Sequence, residues 1–566
     1  MQGLGERGYE RHCLPLVHNW LTENGFVHLP QETRRYAYDG VLQCNAVEVP
    51  IRLEFYDLTF KSLPEIYLRH PRPRELCLPL SHVDNENKLC YLEAESYRAD
   101  PYHPVKTLAT LIEQARRVLV DCLTGANADD VGYELSAYWG FKDFGVALSR
   151  QPSGALTEFN RIRYFSPLGN ERNLVVVGTR EEIAEYVQWR KAKVRYGRNL
   201  NAIWLDVNST TLLPREGGWP PNNFRAFYDW LDIVDKSAAR TLHRIMGTKA
   251  GCNSHFIVVI NTKGGLVSIE VILPPSLSTA TQAPGRFRKM LMRDDGSHGT
   301  TLIRGKFDDL SPKYQTARSL QGSGLSGKRI VLIGCGTIGG YLSRLLVQCG
   351  AGLGGELVLY DGQWFLPGNV GRHYLDGAYT YENKAEACQH KLGIEYPWVN
   401  IRALSKEYMW GAESDNADII IDATGREPFS LALNEEMNWR CSNEWSTPPI
   451  LHVWLDGNGL CGRTLYYDGT GGCYRCLQTR DGEERFEPLI NSEDLSPMTY
   501  SCGESYIPFP PSASVQVAGL ALELMLDWAG GSVGFTFRNR AFHKKARRHK
   551  DQVLTPMKSC PACRKN

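Results

Sequence analysis

Two dithiol pairs, Cys473-x-x-Cys476 and Cys560-x-x-Cys563, are the first residues whose type and spacing could do chemistry. Four thiolates in two turns satisfy a tetrahedral Zn2+ and leave no open position, so this spacing predicts a structural site and not a catalytic one. Eighty-three residues lie between the pairs, so the ion would clip distant segments together. A third cysteine, Cys502, sits between them in the polar, Gly-flanked stretch Tyr500 to Ser505, ahead of a helix expected from Ala513. That placement exposes a thiol and lets a helix N-terminus lower its pKa, which suits a nucleophile.

A second constellation is built for phosphates. Gly334-Cys335-Gly336-Thr337-Ile338-Gly339 follows the apolar run Arg329 to Ile333 and opens a helical pattern reaching Cys349. Gly334 permits the tight turn, Gly336 lets backbone approach a phosphate, Gly339 allows close helix packing, and the helix N-terminus supplies N–H groups. Asp361 ends the next strand, twenty-two residues after Gly339, where a carboxylate can accept ribose hydroxyls. Beyond it come Asn369, Arg372 and Lys384, which can gather round a triphosphate and neutralise charge developing at its α-phosphate. A dinucleotide needs no such cluster, so ATP is the expected ligand and an NAD-dependent oxidoreductase is disfavoured.

The elements that must position these groups fall into three texts. Residues 1–150 mix strand-like alternation (Val47 to Phe60) with an amphipathic helix (Val105 to Cys122), an α+β pattern. Residues 151–305 alternate short strands with helices and Pro/Gly-rich breaks, and read as a connecting α/β domain. Residues 306–566 read as a Rossmann-like α/β domain.

Here a family resemblance becomes specific. The string GCGTIGGYLSRLL, then VLYD, then N-x-x-R and a Lys, resembles the adenylation domain shared by ubiquitin-activating enzymes and the ThiF-type sulfur-carrier adenylyltransferases. The resemblance implies ATP and Mg2+, a homodimer in which Arg318 reaches the partner's nucleotide, a zinc clip at the four paired cysteines, and a thioester at Cys502. The family's second metal-handling Asp is replaced by Gly425 in Asp422-Ala423-Thr424-Gly425, which leaves Asp422 as the metal contact or as a strand-end cap. The first 150 residues resemble a ubiquitin-conjugating fold. A polar loop, Ser81 to Lys88, precedes Leu89-Cys90-Tyr91, so the resemblance makes Cys90 the acyl-carrying nucleophile. The eukaryotic His-Pro-Asn signature is absent; His82, Asn85 and Asn87 are the local polar candidates, and Cys77 is the competing thiol with apolar neighbours.

Taken together, the chain resembles the fused conjugating and activating enzymes of bacterial anti-phage (CBASS-type) operons. The implied reaction is adenylation of a protein C-terminus, that of a cGAS-like nucleotidyltransferase, followed by relay through Cys502 and Cys90 to an amine on a target protein. Two other readings stand beside it: a sulfur-carrier-type adenylyltransferase, and a nucleotide-binding scaffold without catalysis. Composition narrows the setting. Sixty-four Lys and Arg against sixty-three Asp and Glu give a net charge of +1, so no global field draws the chain to nucleic acid or membrane. Sixteen cysteines with no basic-then-apolar leader predict a cytoplasmic chain of reduced thiols. The basic run Arg538 to Lys550 has few stacking aromatics and reads as a solvated edge facing an acidic protein partner.

Overall fold

The computed structural model describes the chain apart from residues 1–7, 31–35, 59, 61, 72–79, 85, 93–96, 128–129, 141, 210–218, 298, 321, 323, 480, 492–497, 502–503, 507 and 565–566. It divides into two compact units, Met1–Leu310 and Ser311–Asn566.

In the first unit, α1 (Gly8–Glu23) precedes β1 (Val27–Leu29), β2 (Tyr36–Cys44), β3 (Val47–Phe55) and β4 (Glu65–Leu68), an antiparallel meander in sequence order. Strand β3 buries Val49, Ile51, Leu53 and Phe55 and turns the alternate residues outward, the period-two pattern expected of it. Helix α2 (Pro104–Thr124) buries Leu108, Leu111, Ile112, Ala115 and Leu119 at helical spacing against this sheet and α1. Gly125 ends it in the left-handed conformation, φ 74°, where a side chain would be strained.

The residues expected to form a connecting α/β domain do alternate strands with helices, and their strands close a barrel. Helix α3 (Val131–Tyr138) leads into β5 (Asp143–Ala147), β6 (Leu156–Phe165), β7 (Glu171–Gly178), α4 (Arg180–Arg190), β8 (Lys193–Val194) and β9 (Leu200–Asp206). Then follow α5 (Phe224–Val234), α6 (Lys236–Ile245), β10 (His255–Thr262), β11 (Gly265–Ile272), α7 (Pro284–Leu291) and β12 (Thr301–Asp309). The sheet runs β7-β5-β12-β11-β10-β9-β6-β8, and β6 also pairs with β7, so seven strands form a ring with β8 on its flank. On β10, Ile257 and Val259 join an inner cluster with Phe159, Val175, Trp204 and Phe307, while Phe256 and Val258 pack outward under α5. Strand β5, which lies inside the span expected for the first domain, is one of the strands of this ring.

The second unit begins with α8 (Pro312–Ser319) and builds a seven-stranded sheet from β13 (Arg329–Ile333), β14 (Glu356–Tyr360), β15 (Ile401–Leu404) and β16 (Ile419–Asp422). Strands β17 (Ile450–Asp456) and β18 (Cys461–Tyr467) extend it. The hairpin strands β19 (Met498–Ser501) and β20 (Glu504–Tyr506) follow, and β21 (Phe537–Ala541) completes the sheet, in order β15-β14-β13-β16-β17-β18-β21. The first five are parallel and the last two antiparallel. Helices α9 (Thr337–Gln348), α10 (Lys384–Glu395), α11 (Ala412–Asp415), α12 (Glu427–Ser442) and α13 (Pro511–Ala529) complete the layers. Leu342 and Leu346 of α9 pack with Val517, Ala521 and Leu524 of α13 in one core. The fold class is therefore mixed α/β and multidomain with a Rossmann-like C-terminal unit, in agreement with the sequence. Part of the basic run is paired at the sheet edge, Arg538 with Asp527, Arg540 with Asp551 and Arg547 with Glu487, while Lys544, Arg548 and Lys550 are exposed. No helix among the described residues is long and apolar enough to cross a membrane.

Candidate functional site

Strand order reverses on either side of β13, and a pocket of about 120 Å3 lies at the carboxyl ends of β13, β14 and β16. Gly334, Gly336, Asp361, Gln363, Thr424 and Arg426 are among its lining residues. Gly334 holds φ 89°, and a Cβ on Gly339 would meet the Gly334 carbonyl oxygen at 1.8 Å, so both positions exclude a side chain. At Gly336 a Cβ would meet nothing within 4 Å, which leaves open space at the N-terminus of α9. Asp361 closes the loop: Cys335 N–H donates to Oδ2 at 2.8 Å and Gln363 N–H to Oδ1 at 2.8 Å.

The cations stand one contact back. Lys384 is 8% exposed, and its Nζ donates at 2.8 Å to Oε1 of Gln363, which does line the pocket. Arg372 lies over the Phe509 ring, 5.1 Å from its centroid, and its Nε is buried without a hydrogen-bond partner among the described residues. Asn369 caps its own turn, accepting from Leu366 N–H at 2.9 Å. Between them His373 ties the site together. Its Nδ1 accepts from Leu375 N–H at 3.0 Å, so Nε2 donates to the Cys335 carbonyl at 2.8 Å. Burial pushes its pKa down to about 4, and Lys384 and Arg372 push the same way, so this imidazole is neutral at physiological pH. Open space beside Gly336 and an orphaned guanidinium nitrogen fit a nucleotide triphosphate.

Asp422 is placed differently from a metal contact. It is fully buried, Oδ2 accepts from Ser430 Oγ at 2.5 Å and His452 Nδ1 at 2.9 Å, and Oδ1 accepts from both Thr424 N–H and Thr424 Oγ1. Burial alone would raise its pKa, but these donors outweigh it and hold the carboxyl below the usual range. The carboxylate caps the strand end and offers no open lone pair, and Gly425, at φ 63°, supplies no ligand beside it. These residues do not fit a Mg2+ site. Arg318 is exposed in the last turn of α8.

The paired cysteines converge. Their four sulfurs lie within 4.8 Å of one another, with Cys473 to Cys476 at 3.9 Å, Cys473 to Cys560 at 3.8 Å and Cys476 to Cys563 at 3.5 Å. A tetrahedral zinc with bonds of about 2.3 Å requires sulfurs about 3.8 Å apart, so the set fits Zn2+. Met557 N–H donates to Cys476 Sγ at 3.3 Å, the kind of outer contact that steadies a thiolate ligand. Cys502 lies outside the described residues; the flanking strands β19 and β20 pair antiparallel.

In the first unit Cys90 is the only exposed cysteine of the fourteen described; of the four expected to be packing thiols, Cys335, Cys349 and Cys388 are buried and Cys122 is half-buried. Its N–H donates to the His82 carbonyl at 2.7 Å. His82 itself, at φ 60°, is clamped: Nδ1 meets Glu134 Oε1 at 2.9 Å, Nε2 meets Asp130 Oδ2 at 3.2 Å, and its N–H donates to Glu134 Oε2 at 3.2 Å. The Glu134 hydrogen bond, reinforced by its charge and that of Asp130, raises the His82 pKa against burial and favours the imidazolium. Tyr138 donates to Glu134 at 2.5 Å. Chain packed around the Cys90 sulfur raises its thiol pKa, Glu134 and Asp84 add to this, and Lys88 opposes it. Of the local polar candidates, His82 is thus a loop anchor, Asn87 holds φ 72°, and Asn85 and Cys77 lie outside the described residues. Gln363, His373, Glu134 and Asp130 were not singled out by spacing. Only His373, adjacent to Arg372, carried a signal.

Residues 314–560 match the ThiF family and residues 28–143 match Prokaryotic E2 family B. An "ATP-dependent ubiquitin transferase-like protein Cap2" of Pseudomonas aeruginosa is 28% identical over 532 residues, covering 90% of each chain. A protein of the same name from Vibrio cholerae is 26% identical over 515 residues, covering 86% of each. The crystal structure of Escherichia coli MccB aligns with 42% of this chain and 66% of its own, at 16% identity and a TM-score of 0.32.

Proposed function

We propose, for a chain that joins a prokaryotic E2-like domain to a ThiF-family adenylation domain, that it activates the C-terminus of a protein, carries it on two cysteines and conjugates it to an amine. The observation that carries this reading is Cys90, exposed where the other described cysteines are buried or half-buried, on a loop anchored by a clamped histidine. A packing thiol needs neither.

The reaction balances in four steps. The carboxylate of the protein tail attacks the α-phosphate of ATP, giving acyl-adenylate and pyrophosphate. The N–H groups at the start of α9 and the cations Arg372 and Lys384 take up the charge that develops. The Cys502 thiolate attacks the acyl carbon and AMP leaves. Cys90 takes the acyl group from Cys502, freeing that thiol, and a target amine attacks the Cys90 thioester, losing a proton and releasing the thiol. Asp361 holds the ribose through lone pairs not used by Cys335 and Gln363. Zn2+ supplies no chemistry in this scheme, and the four thiolates hold the C-terminal segment against the β18 turn. Tethering the two cysteine domains replaces a bimolecular encounter by an effective concentration of about a millimolar.

The reading extends to a homodimer in which Arg318 serves the partner's nucleotide, to a cytoplasmic setting in anti-phage defence, and to a cGAS-like nucleotidyltransferase as the activated protein. That extension rests on the resemblance carried by the sequence motifs, while the ThiF and prokaryotic E2 matches and the names of the relatives support the adenylation and conjugation beneath it. Intact-mass analysis of the full chain with ATP, Mg2+ and such a nucleotidyltransferase tests it. A thiol-labile adduct should vanish in Cys502→Ala and be confined to one cysteine in Cys90→Ala. Activity that survives Cys90→Ala intact would favour a sulfur-carrier-type adenylyltransferase, and absence of ATP–pyrophosphate exchange with any carboxylate would favour a scaffold.

A further inference from the structure

The seven-stranded barrel has no part in those steps, yet it contains a cavity five times the volume of the nucleotide pocket. About 600 Å3 lies at the end of the barrel where β5 and β7 begin and β6 ends. Five cations line it, Lys142, Arg161, Arg163, Lys193 and Arg195, against a single acid, Asp143. The register makes this block deliberate. Arg163 stands directly opposite Lys193 across the β6–β8 ladder, and the Arg195 N–H donates to the Arg161 carbonyl at 2.7 Å, so Arg195 faces Arg161. Like charges opposite one another destabilise a sheet, so neither cross-strand pairing is itself favourable.

Two of the five are neutralised from within. Arg161, whose strand neighbour Phe159 points into the barrel core, bonds Asp143 at 2.6 Å and also Glu270, which is 2% exposed and holds His255 at 2.6 Å. Arg163 reaches Glu171 at 3.4 Å, an exposed pair of small worth. Lys142, Lys193 and Arg195 have no acidic partner among the described residues. Three uncompensated cations around a small-ligand-sized cavity call for an occupant with two or three negative charges. Guanidinium and ammonium groups together match tetrahedral oxyanions.

We propose that this end of the barrel binds a small phosphate-bearing anion, a phosphomonoester or a diphosphate, separately from the adenylation pocket. Inorganic pyrophosphate is the probe. It is titrated calorimetrically into the full chain carrying Lys384→Ala, which weakens phosphate binding at the other pocket. Binding should persist there and weaken roughly tenfold or more when Lys193→Glu is added. Arg195→Gln, which removes one charge without reversing it, should weaken binding less. Without ligand, Lys193→Glu should melt no lower than its parent because it relieves the Arg163 repulsion, and pyrophosphate should no longer raise its melting temperature. Affinity unchanged by either substitution, no heat with pyrophosphate, or preference for an acidic peptide over pyrophosphate would each overturn the proposal.

Discussion

At the scale of single residues, the cluster behind Cys90 makes a pH dependence that can be worked out in sign. The His82 pKa is raised in the folded protein, so its contribution is fully present below the ordinary histidine pKa and fades as pH rises through the folded value. Glu134 is shifted the other way: burial would raise it, but hydrogen bonds from His82 and Tyr138 prevail, so its contribution fades as pH falls through its lowered pKa. Transfer from Cys90 should therefore show an alkaline limb that His82→Gln removes, while the Cys502 adduct forms normally. Glu134→Gln should cost about 1–3 kcal/mol in urea unfolding, because it leaves a charged imidazole with a weaker acceptor. The glycine turn, the place of Asp361 at the end of the next strand and each Cys-x-x-Cys turn were legible in the sequence because each follows from a short local spacing. The saturation of Asp422 was not, since its donors Ser430 and His452 come from a following helix and a neighbouring strand. His82 was visible as a candidate but not as an anchor, because Glu134 lies fifty-two residues away.

At the scale of elements, the paired thiols act as a clasp on the end of the sheet. Cys473 and Cys476 sit on a short 3-10 turn after β18, and Cys560 and Cys563 lie beyond β21. The Gly472 N–H donates to the Leu554 carbonyl at 2.8 Å, so the two segments also meet through backbone. The Tyr474 ring stands 4.6 Å from that of His452, which holds Asp422 beside the nucleotide pocket. Metal analysis of the full chain should find one zinc ion, and less in Cys560→Ser. The substitution should also lower the melting temperature of this unit, roughly 2–4 °C for each kcal/mol lost. ATP–pyrophosphate exchange should fall with it, through the Tyr474–His452–Asp422 contacts. Helical and strand patterns gave the parallel sheet and the amphipathic helix α2 directly, because burial there follows a single period.

For the whole molecule, the barrel is where sequence reading reached its limit. Its strands were visible one by one, but closure depends on β5 lying between β7 and β12, and β12 begins more than 150 residues after β5. No local period encodes such a pairing. Deleting Thr301–Asp309 should therefore do more than remove an edge: it opens the ring and leaves β5 and β11 each without one of two neighbours, and the truncated chain should lose the amide-exchange protection of β10 and β11 and aggregate.

The same closure sets a timetable for synthesis. The four-stranded layer and α2 are complete once Thr124 has emerged, so that domain can fold while the ribosome is still working. The barrel must wait from the emergence of Asp143 to that of Asp309. At about 5–20 residues per second this leaves β5 without one of its two partners for roughly 10–30 s. During that interval the nascent chain is exposed to strand-exchange with its polysome neighbours, so slower codons or a chaperone acting before residue 310 would be felt as yield and not as catalytic rate.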